Sequence, residues 1–183
     1  MARSPSTAAL FALALACAGP AVADERLYVY ESASDGARAL AATGLTFEFA
    51  TRPLGGYKLE RIFQTGERGS ADLQASSDKD LGPGGLRAAL GGTASAGGLY
   101  EIRRDAADGR AFVGAVCPGA ERAWLVVGPL RRFRDLTVQA IGKDQGAVSA
   151  RRCVDLSFRF RGELALPPDR PPPTDRVAVG HAP

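Results

Sequence analysis

The chain has 183 residues, 45% of them hydrophobic, with 23 Lys plus Arg against 20 Asp plus Glu and a formal net charge of +3. That near balance excludes a dedicated nucleic-acid binder, which concentrates basic charge on one face, and the length suits one ordinary domain. The single histidine is His181, at the extreme C-terminus. It excludes Ser-His-Asp or Cys-His catalysis and a His/Cys zinc site, because each needs an imidazole held by a packed scaffold.

Residues 1–23 read as a secretory signal peptide. Arg3 supplies the positive start, Ala8 to Ala18 an apolar run too short to span a bilayer, and Ala21-Val22-Ala23 a small-x-small cleavage site before Asp24. The expected localisation is therefore periplasmic or secreted. Lipid attachment at Cys17 is a weaker alternative, because Ala14 stands where a lipoprotein signal wants a large aliphatic residue. Much Ala, Gly, Arg and Pro with little Lys suits a GC-rich bacterial gene.

Leu27 to Ser32 alternates aromatic and β-branched residues as a strand does, and Ser34 is placed to cap a short helix that ends before Gly44. Strands follow at Leu45 to Ala50, Tyr57 to Thr65 and Ala71 to Ala75. From Gly82 to Gly98 glycine is dense around one apolar helical turn, Leu86 to Leu90, and this segment reads as the least ordered part of the domain. Two further strands, Gly98 to Arg104 and Ala111 to Cys117, are expected around the Asp108-Gly109 hairpin signal. Arg122 to Val127 and Leu136 to Ile141 continue the β pattern. The last run, Val154 to Leu166, places Leu156, Phe158, Phe160 and Leu164 on one face and Asp155, Arg159, Arg161 and Glu163 on the other. Six prolines between Pro167 and Pro183 predict an extended, disordered tail.

These elements predict a single mainly β domain over residues 24–166, an antiparallel β-sandwich or flattened barrel of about eight to nine strands with one or two short helices. Removing the leader leaves Cys117 and Cys153, which the oxidising compartment makes a disulfide. One point is awkward: Cys153 falls in phase with the polar face of its strand.

Ser76-Ser77-Asp78-Lys79-Asp80 loosely resembles a calcium loop but lacks the closing glutamate, and Gly82-Pro83-Gly84-Gly85 is not followed by the Gly-Lys-Ser/Thr of a phosphate loop. Neither a metal nor a cofactor is expected. Carboxylate-pair chemistry on carbohydrate needs only two acids placed by the fold, with Asp72, Asp78, Asp80 and Glu101 as candidates. Arginines cluster at Arg131, Arg132 and Arg134 and again at Arg159 and Arg161; with Trp124 these are the candidate binding residues. The expectation is an exported, monomeric accessory or binding module of the bacterial envelope with no catalytic role and no transmembrane segment. Its partner is an envelope protein, a glycan or an anionic polymer, not nucleic acid. Two alternatives are a carboxylate-pair glycoside hydrolase and a structural envelope component that binds anionic polymers through its Arg-rich strands.

Overall fold

The computed structural model describes residues 25–51, 57–64, 69–92, 97–105, 107–129 and 133–165. The expected signal peptide and Pro-rich tail, together with Arg131 and Arg132, lie outside those residues. Eight strands run in chain order, each antiparallel to the next: β1 (Glu25–Ser32), β2 (Leu45–Thr51), β3 (Tyr57–Gln64), β4 (Ser70–Ala75), β5 (Gly98–Ile102), β6 (Ala120–Val127), β7 (Leu136–Asp144) and β8 (Arg151–Ala165). β8 returns to pair with β1, so the sheet is a closed up-and-down barrel. Of the two architectures the alternating pattern allowed, the barrel is the one formed. Closure removes the two unpaired edges that a sandwich would have to protect.

Eight strands enclose a space just wide enough for side chains to fill. Tyr28, Tyr30, Phe47, Phe49 and Phe158, all at most 1% exposed, supply rings from β1, β2 and β8. Ala123 and Ala140 supply small residues from β6 and β7. The rings meet edge-on, as in Tyr30 against Phe47 with centroids 5.5 Å apart. The outside is charged: Arg61 bonds Asp72, Arg103 bonds Gln74, and Arg122 bonds Glu101. Apolar within and charged without is the reverse of a membrane-spanning barrel's polarity. Among the described residues, no helix is long and apolar enough to cross a membrane.

Connections that follow odd-numbered strands lie at one end of the barrel, which we call the helix end. There α1 (Asp35–Leu40) has its first turn capped by Ser34, whose hydroxyl accepts from the Ala37 amide at 3.2 Å. It buries Ala37 and Leu40 in the core. The second plug, α3 (Ala107–Val116), corrects the expectation of a strand over Ala111 to Cys117 and of a hairpin at Asp108-Gly109. Its buried residues Phe112, Val113, Val116 and Cys117 follow helical spacing, which so short an apolar run does not distinguish from alternation. Gly109 serves close packing instead of a hairpin: a Cβ there would lie 1.9 Å from the Arg103 carbonyl oxygen.

The Gly-rich connection from β4 to β5 is more regular than its composition suggests. Its described part forms a 3-10 turn at Asp78–Leu81 and α2 (Gly85–Leu90). They press Leu81, Ala89 and Leu90 onto the outer side of Trp124, Val126 and Ile141 in a second small core. β6 is thereby buried on both faces, which is why Ala123 to Val127 is an uninterrupted apolar run.

Four β-bulges shift the register, with Glu60, Glu121, Cys153 and Arg161 as the unmatched residues. The bulge at Cys153 answers the phase problem. It releases that residue from strict alternation, and the thiol reaches Cys117 at the end of α3, with Cα atoms 5.2 Å apart. The bulge at Arg161 corrects a second expectation. It reverses the phase beyond Phe160, so that Glu163 stands opposite inward-facing Tyr28 and Leu164 is turned out, 56% exposed.

The disulfide closes a loop of sequence separation 36. Cys117→Ser/Cys153→Ser should cost about 4 kcal/mol, read as a lowered denaturant midpoint that matches the reduced wild-type chain. Gly44 carries φ of +118°, and a Cβ there would lie 2.0 Å from the Tyr30 carbonyl oxygen. Gly44→Ala should lower stability by at least about 2 kcal/mol in the same titration.

Candidate functional site

The described interior positions of the barrel are occupied by its own side chains, and the contact residues of the candidate site lie on its surface. The richest place is the end opposite the helices, where β1 begins, β8 ends and β6 connects to β7. We call it the terminus end. Arg26 precedes inward-facing Tyr28 by two residues and forms an ion pair with Glu163, whose side chain is 11% exposed. A run of rings lies alongside. Tyr57 is 6.1 Å from Tyr28, Tyr28 is 6.0 Å from Phe160, and Phe160 is 5.5 Å from Phe133. The run passes from the core to solvent, since Tyr28 is 1% and Phe133 59% exposed.

The β6–β7 connection is fastened to β8 at this point. The last β7–β8 pair is Leu136 with Phe158. Beyond it, the Phe160 amide donates to the Asp135 carboxylate at 3.0 Å, a side chain taking the place of a strand. Asp135 also acts on Tyr30, whose hydroxyl is pushed up to about 12, first by burial and then by this carboxylate. Phe133 has φ of 60°, a conformation that costs a non-glycine residue roughly 1–2 kcal/mol. Its contact with Phe160 helps to hold it.

The Asp135–Phe160 hydrogen bond sets the stretches that carry Arg134 and Arg159 side by side, and Arg159 stands opposite Glu31 in the β1–β8 register. Arg134 stands beside Phe133 in the connection, and Arg159 and Arg161 lie on the adjoining strand. Arg161 pairs with Glu31. Arg134 and Arg159 are exposed and form no ion pair among the described residues. Other clusters are neutralised locally. Arg151 is bidentate on Asp144 at 3.0 and 3.1 Å, Arg152 pairs with Asp155, and Arg103 pairs with Asp105 at 3.0 Å. Towards the helix end, a shallow depression of about 420 Å³ lies between β1, β8 and the α1–β2 connection, lined by Val29, Tyr30, Glu31, Ala42, Thr43 and Arg161.

Trp124 is elsewhere. It is 0% exposed beneath α2, with its indole N–H donating to the Ser76 hydroxyl at 3.1 Å and the Arg122 guanidinium 4.7 Å from its ring. Its ring is not offered to solvent. The Gly-rich segment packs over this residue and does not join the basic rim. The four acids considered for hydrolysis each have a structural partner. Asp72 pairs with Arg61, Glu101 with Arg122, and Asp78 accepts from the Leu86 amide. Asp80 is held below the usual carboxylate range by hydrogen bonds from the Ser77 amide and from the Ser76 and Ser77 hydroxyls.

Sequence reasoning did not select Phe133, Arg26 or Glu163. An aromatic set among cations in Arg131-Arg132-Phe133-Arg134 was the available signal for the first. The other two depend on a bulge that leaves no mark in the pattern. The chain matches no protein family, no curated protein and no solved structure.

Tyr30 makes stability depend on alkaline pH. An unfolded tyrosine loses its proton near 10, whereas the folded one keeps it to about 12. The folded state therefore binds more protons in that window. Its contribution is whole below pH 10 and is lost as pH rises to 12, a fall of roughly 2–3 kcal/mol. Denaturant melts at pH 9, 10, 11 and 12 should show this decline, and Tyr30→Phe should flatten it.

Proposed function

We propose that this chain is an exported accessory binding protein of the bacterial envelope and that it meets an anionic partner through the terminus end of its barrel. A leader-like N-terminus and the disulfide support export. The observation that carries the binding site is the rim itself. Arg134 and Arg159 lack acidic partners among the described residues, whereas the guanidiniums of Arg61, Arg103, Arg122, Arg151 and Arg152 are tied to carboxylates. Cations left uncompensated beside an exposed aromatic ring favour an anionic, partly apolar surface. Carbohydrate hydrolysis by a carboxylate pair gains no support from acids committed one by one to caps and ion pairs.

The test compares two double variants of equal charge on an immobilised sulfated polysaccharide. Arg134→Gln/Arg159→Gln should elute at clearly lower salt than the parent chain. Arg103→Gln/Arg152→Gln, which removes paired cations, should shift elution much less. Equal shifts in the two variants would mean that net charge alone governs retention, and the reading would fall.

A further inference from the structure

Among the described residues, three large apolar side chains are exposed: Phe133, Val148 and Leu164. Two of the three belong to the terminus end. Leu164 is outward on the last turn of the barrel wall, paired in register with Leu27, itself half-buried, and Val29 follows on the same outer face of β1. Phe133 projects from the β6–β7 connection, anchored by one edge on Phe160. Arg134 is its neighbour in the chain, and Arg159 and Arg161 precede Leu164 along β8. A soluble polyanion would use the cations and leave the two apolar groups in water. An interface that is charged at its surface and apolar beneath uses both.

We infer that the terminus end docks on the surface of an anionic lipid bilayer, Phe133 and Leu164 entering the interface while Arg134 and Arg159 meet lipid phosphates. This rests on the proposed reading of the rim as the contact surface and names its partner. The barrel lies on the membrane and does not cross it, because its wall is charged and its interior filled. Attraction to anionic headgroups contributes about fivefold in affinity per arginine near the surface. Burying a large apolar side chain contributes about tenfold or more. Binding is therefore reversible and depends on salt.

The experiment is flotation of the purified chain starting at Asp24, disulfide intact, with vesicles of phosphatidylglycerol and phosphatidylcholine, with vesicles of phosphatidylcholine alone, and with soluble sulfated dextran as a third arm. The chain should float with the anionic vesicles at low salt and not with the neutral ones. Phe133→Ser/Leu164→Ser should lose at least about tenfold in partitioning. Val148→Ser, which alters the exposed apolar residue of the β7–β8 hairpin at the helix end, should change nothing. Leu164→Trp should shift its emission to the blue on adding anionic vesicles, against the unchanging signal of buried Trp124. Binding to dextran without flotation overturns the lipid inference and leaves the anionic-partner reading standing; binding to neither overturns both. Equal flotation with neutral vesicles, or equal losses from the Val148 and Phe133/Leu164 variants, also overturns the inference.

Discussion

Closure of the sheet is the constraint on which everything else rests. Once β8 pairs with β1, the interior volume is fixed, and it must be filled by residues from eight strands at the density of a crystal. Five rings from β1, β2 and β8 take most of that volume, alanines on β6 and β7 leave them room, and α1 and α3 stop the helix end. The described interior positions of the barrel are filled by its own side chains. The contact residues of the candidate site lie on the rim and outer wall, and the wall is largely self-neutralised by ion pairs. Among the described residues, Arg134 and Arg159 carry no ion pair, and neither do Arg87 on α2 and Arg110 on α3.

The bulges reconcile closure with the positions of particular side chains. A strand that alternates without interruption points the same residues inward along its whole length. β8, with 15 residues, would have carried Leu164 into the interior and Glu163 out to solvent. The unmatched Arg161 exchanges them, so that one end gains both an internal ion pair and an external leucine. At the other end of the same strand, the unmatched Cys153 makes its thiol available to the plug helix. Two single-residue insertions thus shape both ends of one strand.

Most of the barrel was legible because period-two alternation is enforced wherever one face is dry and the other wet. Strands β1, β2, β3 and β8 show it openly, and the Ser34 cap marked α1. The helix α3 was not legible: Ala111 to Val116 fits alternation as well as a helical face, and the nearby Asp-Gly favoured a hairpin. Its identity depends on the barrel needing a plug, which is a tertiary requirement. For the site, the arginine clusters were visible in the chain, and the Asp135–Phe160 hydrogen bond sets the stretches of Arg134 and Arg159 side by side. Their distinction from Arg103 or Arg152 was not visible, because it depends on which acids the register sets opposite. Trp124 was misleading as a surface group for a related reason: the segment that covers it is rich in glycine and reads as loose.

The pairing of the first strand with the last has a kinetic side. Arg26 and Glu163 are 137 residues apart in sequence, and neither the β1–β8 ladder nor the filled interior exists until both are present. Contacts of such long range make a protein slow to fold. A chain growing from its N-terminus would stay pliant for nearly its whole length and would shut only after its final strand had emerged. The same closing pair that gives the finished barrel its rigidity would keep the incomplete polypeptide from setting too early.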